Sequence, residues 1–358
     1  MDFIEIKGYK SIRDAKIELK PINILIGANG SGKSNFLSFF RFINKAYQNI
    51  ADLNRYVELN GGAEKMLHNG VENSTEIYSE LSFDNGNNVF AIGLQKTTSG
   101  FFLVSRGEIW LEKEKKDNLS LGDLANFASL DLQGIEIFKD FFNSLRTFHF
   151  GNTGGNSPFN EMSSINNDVY YLYENGKNLA AFLYNIQQQH TKRYRLILKI
   201  IQSVAPYISN FFLLPNEKKF IRFHWKDRFS ETVFGIDDLS DGTIRFIALA
   251  ALFMQPNLPK TIIIDEPELG LHPFAIAKLA GLIQSAAAQG CQVIVATQSA
   301  DLISHFEPED IVTVDQIEGK SNFKRLNSKD LAIWLDDYST IDDLWKRSII
   351  ESGQPNYR

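Results

Sequence analysis

Eight residues near the N-terminus carry the densest chemical signal in the chain. Gly27-Ala28-Asn29-Gly30-Ser31-Gly32-Lys33-Ser34 fits the pattern G-x-x-x-x-G-K-[ST], in which glycines let the backbone wrap until consecutive N–H groups face phosphate oxygens. The Lys33 ammonium would bridge β- and γ-phosphates, and the Ser34 hydroxyl would take one position on Mg²⁺. Such a loop needs a buried strand before it and a helix after it, whose N-terminal end adds positive potential. Both are legible. Ile22 to Ile26 is a nearly continuous apolar run, and Phe36, Leu37, Phe40, Ile43 and Tyr47 recur at helical spacing between Asn35 and Gln48.

A second cluster is acidic. Thr261-Ile262-Ile263-Ile264-Asp265-Glu266 is an apolar strand ending in two carboxylates, and alternation along a pleated strand sends them in different directions. Asp265 suits the Mg²⁺ shell, whereas Glu266 suits the attacking water as general base or orienter. Acidic residues also end strands at surfaces with no further role; the phosphate loop weighs against that plainer account. Between the two clusters, Leu239-Ser240-Asp241-Gly242-Thr243 opens an apolar helix. A serine and a glycine at a helix start form a second anion cradle, although an ordinary N-cap explains these five residues better when they are taken alone.

The elements that must position these groups follow from periodicity. Phe3 to Ile6 and Ala15 to Leu19 alternate as half-buried strands, ahead of the Ile22 to Ile26 strand. Ile77 to Phe83, Val89 to Leu94 and Phe101 to Val104 read as antiparallel strands, separated by Asp84-Asn85-Gly86 and Ser99-Gly100. Residues 110 to 210 read as mostly helical, with amphipathic helices through Leu179 to Ile186 and Tyr194 to Val204 broken near His190-Thr191. Beyond Asp237 the pattern is helix (Ile244 to Met254), strand (Thr261 to Ile264), helix (Pro273 to Ala288) and strand (Gln292 to Ala296), the alternation of a parallel sheet. The expected divisions are a first lobe over 1–109, a mainly helical insertion over 110–232, a second lobe over 233–325 and a tail over 326–358.

Composition bounds what such a chain does. Of 358 residues, 44% are apolar, 12% aromatic and 22% charged, which excludes disordered and fibrous classes. The lone Cys291 excludes a disulfide framework, fits a reducing cytoplasm and reads as a buried structural thiol. Forty-three acidic against 37 basic residues give a net charge of -6, so contact with nucleic acid must rest on local patches. Two patches qualify: Lys192, Arg193, Arg195 and Lys199, and then Lys218, Lys219, Arg222, Lys226 and Arg228 around Phe220, Phe223 and Trp225. Clusters with interleaved aromatics can follow a phosphate backbone, and a solvated face is the weightier reading. No apolar stretch reaches about 18 residues and no basic, apolar-cored leader opens the chain, so a cytoplasmic protein, neither secreted nor membrane-spanning, is expected.

The order of motifs resembles the ABC-type ATPase heads of the RecF, SMC and OLD (overcoming-lysogenization-defect) group. A phosphate loop near the N-terminus is followed by LSDGT, IIIDEPELGLHP and VIVATQSADL, and the likeness covers nearly the whole chain. It is similar above all to compact RecF-type ATPases among bacterial genome-maintenance and phage-defence genes, whose tail resembles Leu331 to Pro355. The resemblance implies an α/β fold: an ABC-type P-loop NTPase head with an N-terminal antiparallel β subdomain and a helical insertion. It also implies a homodimer that forms on binding ATP and Mg²⁺. Asn29, Gly30, Ser31, Gly32, Lys33, Ser34 and Asn35 of one copy would hold the nucleotide, and Ser240 and Gly242 of the other would cap it. Glu268-Leu269-Gly270-Leu271-His272-Pro273 matches the D-loop that couples the two sites. Gln298 stands where such heads usually carry a histidine sensing the γ-phosphate; an amide can hydrogen-bond there but cannot titrate near neutral pH. His149 is the stand-in for the Q-loop, with a satisfied structural histidine at least as good an account. Lys10 to Arg13 resemble the segment near the adenine, with equal weight on a surface turn.

Absences narrow the reading further. The span between loop and signature lacks heptads, which removes the long arms of SMC-like proteins. No second carboxylate cluster follows Gln298, so a nuclease-like or other effector would be a separate chain. The leading expectation is an Mg²⁺-dependent ATP hydrolase that dimerises on ATP and relays that state to DNA or an effector. A rival from another class is a binding module for which ATP is a slow structural ligand. A transporter ATPase is a third, disfavoured by the absent glutamine in LSDGT and the absent Q-loop.

Overall fold

The computed structural model describes residues 1–70, 74–116, 127–130, 133–151, 157–329, 331 and 340–346. Among these, two six-stranded sheets frame the molecule. The first is antiparallel and runs in the order Ile12–Glu18, Phe3–Tyr9, Glu76–Phe83, Asn88–Lys96, Phe102–Leu111, Glu114–Lys116. The second runs Lys320–Arg325, Ile311–Ile317, Ile22–Ile26, Gln292–Thr297, Thr261–Asp265, Arg146–Phe148, and every pairing is parallel except that of Lys320–Arg325.

The strands of the parallel sheet are apolar on both faces because each face has its own core. Ile24, Ile26, Ile262, Ile264, Val293 and Val295 enter one core, shared with the helices Leu179–Gln189, Thr191–Val204, Asp241–Phe253 and Pro273–Ala288. Leu25, Ile263, Ile294, Ala296, Val312 and Val314 enter the other. This is the period of two expected of a strand, here feeding two apolar layers. The second core surrounds the helix Lys33–Gln48 and continues to the antiparallel sheet through Ile4, Ile6, Leu81 and Phe90. Aromatic rings fill it: Tyr47 stacks on Phe142 at 4.0 Å, and Phe42 meets Phe102 edge-on at 5.9 Å. The helix after the phosphate loop is therefore wedged between the sheets.

Most expected elements are present. The three opening strands, the phosphate-loop helix, the helices flanking His190 and the helix Pro273–Ala288 fall where periodicity put them. The span 110 to 210 departs from the mostly helical expectation. Its described residues carry the helices Glu136–Ser144, Leu179–Gln189 and Thr191–Val204, but Arg146–Phe148 pairs with Thr261–Asp265 and forms the edge of the parallel sheet. A three-residue strand is too short to show a period. In the expected tail, Leu344 is buried and Ser328 donates from its backbone and hydroxyl to the Glu309 carboxylate, each at 2.9 Å; most of Leu331 to Pro355 lies outside the described residues. No helix among the described residues is long and apolar enough to cross a membrane.

Candidate functional site

The phosphate loop leaves the C-terminal end of the strand Ile22–Ile26 and turns into its helix at Gly32, the N-cap, with φ 111°. That left-handed conformation excludes side chains, and a Cβ there would also overlap the Ser321 hydroxyl. Ser321 is part of a clamp behind the loop. Its hydroxyl reaches the Ser31 carbonyl at 2.8 Å and the Ser11 hydroxyl at 2.7 Å, and Asn35 donates to Ser11 at 2.7 Å. Ser321 lies in the outermost strand of the sheet and Ser11 in the turn between the first two strands. Residues from opposite ends of the chain therefore hold the loop in shape. Neither serine announces this in sequence; only the placement of Ser11 within Lys10 to Arg13 drew attention to it.

Lys33 is buried and donates through Nζ to the carbonyls of Gly27 at 2.6 Å and Ala28 at 2.9 Å. Burial holds its pKa below the usual lysine value, while Glu266, Asp265 and Glu268 pull the other way. A confined ammonium lodged inside a ring of backbone groups fits an anionic phosphate chain. The Ser31 hydroxyl beside it is buried without a hydrogen-bond partner among the described residues. Asn29 and Gly30 are exposed at the rim, and Gly30 has open space around it.

Ser34 donates to Asp265 Oδ2 at 3.3 Å, joining the loop to the acidic strand. Burial raises the Asp265 pKa, and Glu266 adds to the shift. One serine hydroxyl and one carboxylate are the few protein ligands Mg²⁺ takes when phosphate oxygens and water complete its shell. Among the described residues no group of three or more His, Cys, Asp or Glu could hold a metal.

Asp265 and Glu266 have different partners, Ser34 for the first and Gln298 for the second. The strand ends at Asp265, and Glu266 adopts φ 45°, a left-handed conformation rare for a side-chain-bearing residue. Such a conformation costs on the order of 1–3 kcal/mol. Its backbone N–H is fixed to Ala296 O at 2.8 Å, and its Oε1 accepts from Gln298 Nε2 at 2.6 Å. The structure thus ties the Gln298 carboxamide to the Glu266 carboxylate. His149 follows the edge strand beside Asp265. It is exposed and lowers the Asp265 pKa by its charge, and its backbone N–H donates to Glu174 O at 3.0 Å.

Glu268, the first residue of the segment matched to the D-loop, and Thr297 stand beside Glu266. Glu268 is buried; its Oε1 accepts from the Thr297 hydroxyl, and its Oε2 has no partner among the described residues. Burial raises its pKa, against hydrogen bonds from Thr297 and from backbone N–H groups; Glu266 pushes it further up, and Arg245 is the nearby cation. The stability from this proton is therefore present below the usual carboxylate range and is lost as pH climbs through the raised folded-state value. Glu268→Gln should melt above wild type at pH 8, with the gap closing toward pH 4; thermal melts across that range check it.

Ser240 is an N-cap, accepting from the Thr243 N–H at 3.3 Å and bonding the Thr243 hydroxyl at 2.9 Å. Gly242 packs on the D-loop, where a Cβ would overlap the Gly270 carbonyl. Among the described residues no hydrogen bond links either residue to the phosphate loop. Gly242→Ala should cost about 1–3 kcal/mol through forced displacement of 269–271, read as a lower melting temperature. Arg13 is exposed and makes no side-chain hydrogen bond among the described residues. Of the aromatics within the basic patch, Phe223 and Trp225 are core residues and Phe220 alone is exposed, which removes most of a stacking platform.

A parallel sheet with a phosphate loop, an acidic strand end and a signature helix, joined to an antiparallel lobe, defines an SMC-like ABC-type P-loop ATPase head. The family described as "AAA domain, putative AbiEii toxin, Type IV TA system" matches residues 22–304, and the chain belongs to it. Among solved structures, an Smc head bound to the C-winged helix domain of ScpA superposes with a TM-score of 0.62 at 17% identity, covering 93% of this chain and 99% of that one. An Smc head with an extended coiled coil, bound to the C-terminal domain of ScpA derived from Pyrococcus furiosus, gives 0.58 at 16% identity, covering 94% and 98%. Among curated proteins, the chain is 31% identical over 133 residues to chromosome segregation protein sudA of Emericella nidulans, covering 34% of this chain and 10% of that protein. It is 35% identical over 91 residues to structural maintenance of chromosomes protein 3 of Arabidopsis thaliana, covering 24% and 7%. The chain thus spans a tenth or less of these relatives.

Proposed function

We propose that the protein is an Mg²⁺-dependent ATPase that closes as a homodimer around ATP. The phosphate loop of one copy, through Lys33, Ser34 and the loop N–H groups, binds the triphosphate; Ser240 and Gly242 of the second copy cap it. Mg²⁺, held by Ser34 and Asp265, neutralises charge on the phosphate oxygens. Glu266 orients and deprotonates the attacking water, and Gln298 fixes its carboxylate. The observation that carries this reading is that the signature helix makes no hydrogen bond to the phosphate loop of its own chain among the described residues, although both motifs are fully formed. Dimer closure would supply the missing cap. Light scattering after size exclusion, with and without ATP, tests it; a monomer at every ATP concentration that still hydrolyses ATP overturns it.

The closed state would act on DNA or on a separate effector. A family description naming a toxin of a toxin–antitoxin system supports phage defence, and relatives named for chromosome segregation support DNA maintenance. A second reading, a slow ATP-bound switch, is favoured by the 2.6 Å bond that ties Gln298 to Glu266. Gln298→Ala separates the two: turnover should fall about tenfold if the amide positions the base, and rise if it restrains it, measured as steady-state phosphate release with and without DNA.

A further inference from the structure

A second cavity lies at the far end of the phosphate-loop helix, with a volume of about 670 Å³. That is within the range of small-molecule sites. Lys33 opens the helix and Lys45 stands in its last turn, so the two ends are about 18 Å apart at 1.5 Å per residue. The cavity is therefore separate from the ATP centre. Three cations line it, Arg41, Lys45 and Arg146, against one carboxylate, Glu174. In a chain of net charge -6 this is a local reversal of sign. Tyr56, Tyr171 and Tyr173 supply flat faces: the Arg146 guanidinium lies over Tyr171 at 5.2 Å, and the Tyr171 and Tyr173 rings are 5.4 Å apart.

The cations differ in how far they are committed. Arg41 spends one terminal nitrogen on both Thr147 O at 2.8 Å and Glu174 at 3.2 Å, leaving its Nε buried and unpartnered among the described residues. Asn44, also in the wall, has a buried Oδ1 in the same condition. Lys45 is exposed and has no ion-pair partner among the described residues. Cations with spare donors, aromatic faces for stacking and carboxamides able to pair with a base edge form a combination that suits one class of ligand.

We propose that this cavity is a second ligand site and that it takes a nucleoside phosphate, the base against the half-exposed Tyr171 ring and the phosphate against Lys45 and Arg146. The site is also wired to the ATP centre. Arg41 holds the carbonyl of Thr147 in the edge strand, and Glu174 accepts from the backbone of His149, beside Asp265. Binding at the cavity does not depend on the ATPase reading.

The test uses the full chain carrying Lys33→Ala, which silences the ATP site, titrated with methylanthraniloyl-labelled AMP and GMP and with a fluorescein-labelled, 5′-phosphorylated tetrathymidylate. Saturable binding of a mononucleotide, weakened about tenfold by Lys45→Glu and again by Tyr171→Ala, is expected. Binding of the tetrathymidylate alone, with the same sensitivity, would assign the source to a strand end rather than a free nucleotide. Lys45 has no ion-pair partner among the described residues and Tyr171 is half exposed, so only small changes in melting temperature are expected for both variants. Failure of every probe to saturate, or saturation indifferent to both substitutions, overturns the proposal. ATP binding by the Lys45→Glu variant with Lys33 intact, measured in parallel, reports separately on the ATP centre.

Discussion

Glu266→Gln should bind ATP as wild type does, hydrolyse it about 10²–10⁴-fold more slowly, and accumulate as a dimer in its presence. The substitution is nearly isosteric and leaves the local frame intact. The backbone N–H of residue 266 keeps its bond to Ala296 O, and a glutamine Oε1 still accepts from Gln298 Nε2. What is removed is the basic oxygen. A loss of rate with retained nucleotide therefore reports on proton transfer, because the fold that positions Glu266 at φ 45° is undisturbed. Single-turnover phosphate release gives the rate, and light scattering in ATP gives the mass. Turnover equal to wild type would end the assignment of Glu266 as the base.

Lys33→Ala should raise the dissociation constant for ATP at least about 100-fold, near 3 kcal/mol, as read by titration calorimetry. Two charge-assisted bonds to phosphate oxygens, each worth about 1.5–3 kcal/mol, would be lost. The same ammonium holds the carbonyls of Gly27 and Ala28, so the variant also leaves two loop acceptors without their donor. Removing a desolvated charge offsets part of that loss, and a small change in melting temperature is expected. A large fall in affinity beside a small fall in stability would show that Lys33 serves the ligand more than the fold. ATP affinity within about threefold of wild type would remove the phosphate loop from nucleotide binding.

How much of the centre could be read from sequence depends on the range of the interactions. The loop Gly27 to Ser34 and the pair Asp265-Glu266 were legible because their chemistry is local: a fixed run of residues, a strand before it and a helix or turn after it. Gln298 was singled out only through the resemblance to ABC-type heads, and its bond to Glu266 was not legible. The clamp of Ser11 and Ser321 was not legible. These are common residues about 310 positions apart in sequence, and nothing in either neighbourhood marks them. Glu268 was visible as part of DEPELGLHP, but its burial on Thr297 follows from strand register. The buried Phe223 and Trp225 show the converse, since their spacing suited a stacking surface and the hydrophobic effect drew them into the core.

The sequence by itself determined the two halves of the chemistry and the periodicities that place each half at a strand end. Those are short-range properties, set by side-chain type and by the repeat of strand or helix. Only the tertiary structure decided that Arg146–Phe148 closes the sheet beside Asp265, that the turn after the first strand and the last strand hold the phosphate loop together, and that Gly242 rests on Gly270. Such contacts join segments distant along the chain, and their energy depends on shape and burial that exist only once both sheets have closed on the helix Lys33–Gln48.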